Sequence, residues 1–187
     1  MAPHIELDRR FLQVSPEKNP EQAAIESYTA VLSGGDSGLS WDDLLKKSRV
    51  VVLGEPGSGK TAEFREMARV KNQGKGLAFF ISLERLINET LDSVLSTTDS
   101  RKLQRWLSRG TSHAVFFLDS VDESKRRIEK DFLKALERFA NEISAGLGRC
   151  TIIISSRITE WRPTTDTGEF ERLLPTNRKQ DSADEHL

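Results

Sequence analysis

Cysteine is almost absent. Cys150 stands alone among 187 residues, so no internal disulfide can form and nothing marks an oxidising compartment. Long apolar runs are missing too, and no stretch approaches the roughly 18–20 residues that cross a bilayer. The first residues, MAPHIELDRRFL, have neither the basic start nor the apolar run of a secretory signal. A cytoplasmic chain without membrane contact is the expectation. Excess charge of one sign is also lacking: 28 Lys and Arg face 29 acidic residues, for a formal net charge of −1. That balance excludes a global field drawing the chain onto nucleic acid, although a local patch would escape it. Histidines number three, His4, His113 and His186, too scattered for metal-ligand spacing. There is no Ser/His/Asp or Cys/His arrangement, no internal repeat and no low-complexity segment.

The apolar residues, 36% of the chain, are gathered into short runs, as folding requires and disorder does not. Residues 1–49 read as a helical lead-in, punctuated by Pro16, Pro20 and the cluster at 33–38. Within it PEQAAIESYTAVL suits a short helix, and Ser40 can cap another over 41–47. Trp41 there either packs the lead-in onto the main domain or serves as a lid over a bound base. From 50 to 175 the pattern changes. Val50–Leu53, Leu77–Leu83, Ala114–Leu118 and Thr151–Ser155 are apolar without alternation, as in strands buried on both faces of a parallel sheet. Helical patterns fill 60–71, 83–95, 100–107 and 125–145, the last with Ile128, Phe132, Leu136, Phe139 and Ile143 at steps of three and four. This alternation predicts an α/β domain with a mostly parallel sheet of four or five strands between helical layers. Residues 160–168 read as polar loop, and EFERLL at 169–174 as either an edge strand or half a helix. The polar tail, 176–187, has the composition of disorder.

Gly54-Glu55-Pro56-Gly57-Ser58-Gly59-Lys60-Thr61 fills the pattern G-x-x-x-x-G-K-[ST], between a strand signal and a helix signal. Glycines let successive backbone N–H groups turn inward onto phosphate oxygens. The helix that follows, over 60–71, places its positive dipole end there, at Lys60 to Ala62. Lys60 supplies a cation for the β- and γ-phosphates, and Thr61 a hydroxyl for magnesium. By chance this pattern arises in roughly one chain of this size per hundred or fewer. Nucleotide binding is therefore expected over Gly54–Ala62. The lack of an N/T-K-x-D guanine-reading motif leans the expectation to ATP/ADP with Mg2+.

About sixty residues on, the strand AVFFL ends in Asp119-Ser120-Val121-Asp122-Glu123, at the sheet edge where ligands of parallel sheets bind. Asp119 can hold magnesium, and Asp122 or Glu123 can orient or deprotonate an attacking water. A third strand, TIIISSR, ends at Arg157, which could reach a γ-phosphate or simply pair with a surface carboxylate. Lys125-Arg126-Arg127 read as a solvated helix face rather than a nucleic-acid contact.

GEPGSGKT, FFLDSVDE and IIISSR, in that order, resemble the nucleotide-binding domain of the NACHT branch of STAND ATPases over about residues 40–175. The middle motif is the telling one: an aspartate, a small residue, an apolar residue, then two acids. The resemblance implies that Lys60 and Thr61 are the Walker A phosphate and magnesium residues and Asp119 the Walker B aspartate. It implies hydrolysis-linked acids at Asp122 and Glu123, a sensor at Arg157, and a loop strand set centrally in a five-stranded sheet. It further implies a switch, closed with ADP and homo-oligomeric with ATP, often in prokaryotic defence against phage. The chain stops where the helical lid and winged-helix domain of that family would begin. Either a fragment of a larger protein or a minimal module is expected, with weak hydrolysis. Two rival functions stay open: a nucleotide-gated interaction module without turnover, and an AAA+-like motor on nucleic acid, which the neutral charge disfavours.

Overall fold

Apolar runs that cannot alternate between water and core must be covered on both sides, and the computed structural model shows how. It describes residues 10–14, 25, 29, 38–73, 76–119 and 128–176. Strands β1 (Arg49–Leu53), β2 (Ala78–Ser82), β3 (Ala114–Asp119) and β4 (Cys150–Ser156) form one sheet of order β1-β4-β3-β2. Every pairing is parallel, with Val52 opposite Ser155, Ser82 opposite Asp119 and Leu118 opposite Ile154. The sequence segments expected as strands are these four. The loop-bearing strand β1 differs from the family expectation of a central place in five strands: it forms one end of a four-stranded sheet among the described residues.

Period-two alternation divides the strand side chains between two cores. Phe79, Ile81, Phe116, Leu118, Ile152 and Ile154 enter the larger one. Helices α3 (Leu83–Leu86), α5 (Thr97–Arg109), α6 (Ile128–Glu142) and α7 (Pro163–Leu173) contribute Leu83, Leu86, Leu103, Trp106, Leu136, Phe139 and Phe170 to it. Val52, Ala78, Phe117 and Ile153 face the other way, against Phe64 and Ala68 of α2 (Lys60–Lys71) and Leu44 of α1 (Trp41–Lys46).

The lead-in reaches this second face. Phe11 and Leu39 exchange backbone hydrogen bonds at 2.8 and 2.7 Å. Ser40 caps α1 in a capping box with Asp43, whose carboxyl is held well below the usual range by Lys46 and then by Ser40 itself. Of the expected helix around residue 25, only Ile25 and Thr29 are described, both helical.

Three elements depart from expectation. The helix predicted over 83–95 is two short helices, α3 and α4 (Leu91–Val94). Arg138 of α6 donates to the carbonyls of Leu86 and Glu89, and the Glu142 carboxylate accepts from the Leu91 amide at 3.0 and 3.2 Å. Side chains of another helix thus satisfy the backbone groups that the break exposes. The helix predicted over 125–145 is described from Ile128 to Glu142 and passes into a 3₁₀ turn, Ser144–Arg149. Finally, 163–173 is helical, so 160–168 is only partly loop, and of the two readings of EFERLL the helical one holds. Pro163 opens that helix at a position needing no N–H, and buried Asp166 accepts from the Arg162 amide at 2.8 Å.

Candidate functional site

Parallel strands bring their carboxyl ends to one edge, and there the predicted residues meet. Gly54 prolongs the β1–β4 ladder by donating to the Ser156 carbonyl at 3.2 Å. The chain then turns through Gly57 (φ 72°) and Gly59 (φ 84°), left-handed conformations that side chains oppose. Gly59 is the N-cap of α2 and brings no side-chain acceptor to its first turn. The helix start, with its positive dipole end, is suited to an anion.

Lys60 folds back across this turn. Its Nζ donates to Gly54 O at 2.7 Å, to Glu55 O at 2.8 Å and to Ser58 Oγ at 3.4 Å. A Cβ on Gly54 would sit 3.4 Å from Lys60 Cδ and 3.2 Å from Ser58 Oγ, so the missing side chain makes room for the lysine. The ammonium is held by neutral oxygens, which an anion can outbid.

From α2 the Thr61 hydroxyl donates to Asp119 Oδ2 at 2.8 Å, and from β4 Ser155 Oγ donates to Asp119 Oδ1 at 3.0 Å. A threonine that gives its proton to a carboxylate keeps its oxygen lone pairs available for a cation. Two hard oxygens suit magnesium. Among the described residues no group of three or more His, Cys, Asp or Glu could hold a metal ion unaided. Phosphate and water would complete the shell, as magnesium prefers. The residues present fit that ion.

Lys60, Thr61 and Asp119 are thus drawn together by the fold, with Gly54–Ala62 around them. Arg157 follows β4 directly and is half-buried, its carbonyl accepting from the Trp161 amide at 3.2 Å. Asp122 and Glu123 lie outside the described residues, as do Lys125-Arg126-Arg127. Trp41 packs edge-on against Phe64 and Phe117, and its Nε1 donates at 2.9 Å to Glu63, a buried carboxylate in the first turn of α2. That contact fastens the lead-in to the helix carrying Lys60 and Thr61.

The chain matches no family model, no curated protein and no solved structure. Its chemistry has to be argued from its own residues. Ser155 is the residue that motif reading passed over. Its signal was parity: on β4 it shares a face with Ile153, as Asp119 shares one with Phe117 on β3. Among the described residues no helix is long and apolar enough to cross a membrane.

Proposed function

We propose that this chain is an ATP-binding switch module of STAND/NACHT type, dependent on magnesium and weak in hydrolysis. The observation that carries the reading is one constellation: a G-x-x-x-x-G-K-T turn between β1 and α2, with Thr61 bonded at 2.8 Å to the carboxylate that ends β3. In this reading the amides of the turn and of the α2 start take the phosphate oxygens, and Lys60 exchanges the Gly54 and Glu55 carbonyls for the β- and γ-phosphates. Thr61 and Asp119 would hold magnesium, which neutralises phosphate charge when bound. Asp122 or Glu123 would orient the water, with Arg157 reading the γ-phosphate. Those three assignments rest on the sequence motifs. Homo-oligomerisation with ATP, and a place in a larger prokaryotic defence or signalling protein, rest on the family resemblance.

The test is the nucleotide carried through native purification, identified by mass spectrometry, followed by thermal melting. Mg·ATP at a hundred times its dissociation constant should add about 2.7 kcal/mol of stability. Lys60→Ala should abolish that gain and any magnesium-dependent phosphate release. No bound nucleotide and no melting shift in the unaltered chain would end the proposal. A shift without phosphate release selects the non-hydrolysing module.

A further inference from the structure

Strand β4 is buried from Cys150 to Ser156. Its apolar run Ile152-Ile153-Ile154 breaks at Ser155, whose side chain is 0% exposed. Alanine or valine would fill such a position without needing a partner, whereas a buried hydroxyl requires one. Ser155 lies one residue beyond the Leu118–Ile154 pair, beside Asp119, and its Oγ donates to Oδ1 at 3.0 Å. Thr61 holds the other oxygen, Oδ2, at 2.8 Å. The terminal torsion of an aspartate is broad and nearly two-fold, so one donor alone leaves the carboxylate free to rock or flip. Two donors on separate elements, a strand and a helix, fix its plane.

We propose that Ser155 is a positioning residue for the cation site: it presets the Asp119 carboxylate so that nucleotide-linked magnesium meets an oriented ligand. This inference rests on the nucleotide-binding reading and adds to it a residue that acts through Asp119 and need not touch the ligand itself. Outer partners that orient a metal-binding side chain characteristically govern metal affinity. The effect of Ser155 should therefore appear in the metal-linked part of nucleotide binding and leave the metal-free part alone.

The experiment measures affinity of the full chain for a fluorescent ADP analogue twice, in excess Mg2+ and in EDTA. In the unaltered chain the magnesium value is expected to be the tighter. Ser155→Ala should cut that magnesium-linked gain about tenfold while leaving the EDTA affinity within about twofold. Ser155→Thr, which keeps the hydroxyl, should retain the gain. Ser156→Ala serves as the control: that hydroxyl, on the other face of the strand, bonds the Arg157 carbonyl at 3.5 Å, and its loss should change neither value. Should the alanine variant melt early, Ser155→Cys fills the site without leaving a void, weakens the donor and carries the same comparison.

A full magnesium-linked gain in Ser155→Ala overturns the inference, as does an equal loss in EDTA, which would make Ser155 a packing residue. Absence of analogue binding by the unaltered chain in both conditions overturns the nucleotide-binding reading itself and this inference with it. That pattern is distinct from a defect confined to the variant.

Discussion

Cys150 shows how one side chain records its surroundings. It opens β4 at 3% exposure, and its thiol contacts the Leu147 carbonyl at 3.5 Å. Burial pushes its pKa upward, with nearby Arg49 opposing but not reversing the effect. The folded state therefore keeps its thiol proton at pH values where the unfolded chain, titrating near about 8.5, has released it. Above that pH the unfolded chain binds fewer protons, so stability must fall as pH rises, by at most about 1.4 kcal/mol per pH unit from this group. Denaturant melts between pH 7 and 10 should show the decline, and Cys150→Ala should lose this component of it. A thiol reagent at pH 7.5 should react with the native chain far more slowly than with the denatured one. The cysteine was legible as a buried thiol from its place at the start of an apolar run. The neighbouring guanidinium, brought from β1, was not.

At the scale of the element, the turn from Gly54 to Lys60 owes its shape to glycines doing what other residues resist. Gly57 sits at φ 72° with open space where a Cβ would go, so a substitution there meets backbone strain and nothing else. Gly57→Ala should cost about 1–2 kcal/mol. It should also weaken ATP-induced stabilisation by shifting the turn, both read from the same melting series with and without Mg·ATP. A drop in stability with unchanged ligand stabilisation would mean that the turn does not cradle the phosphates. The turn could be read from its letters because glycine spacing, a preceding apolar strand and a following helix are local properties. The break between α3 and α4 could not. Arg138 and Glu142, some fifty residues away in sequence, cap the interrupted helices, and only their approach in space makes the interruption favourable.

Over the whole molecule, the sheet acts as a divider that sends Phe116 and Phe117 into different cores. The larger core closes around Trp106, which meets Phe116 at 5.6 Å and carries the Arg149 guanidinium over its ring at 4.6 Å. Gly146, in the 3₁₀ turn after α6, supplies the remaining wall. A Cβ there would lie 2.1 Å from the indole, closer than packing allows. Gly146→Ala should therefore destabilise by about 1–3 kcal/mol through overpacking, visible as a lowered urea midpoint with an unchanged slope. A neutral result would show that Trp106 moves aside freely. In sequence, Gly146 looks like any glycine near a helix end.

Composition, glycine spacing and uninterrupted apolar runs determined the α/β class, the four described strands and the glycine-rich turn, because each reflects interactions among residues close in the chain. Tertiary structure decided the rest: β1 at the end of the sheet among the described residues, the helix broken under Arg138, and the Ser155 hydroxyl set against Asp119. These depend on strands and helices distant in sequence meeting at distances set by packing, which no local pattern encodes.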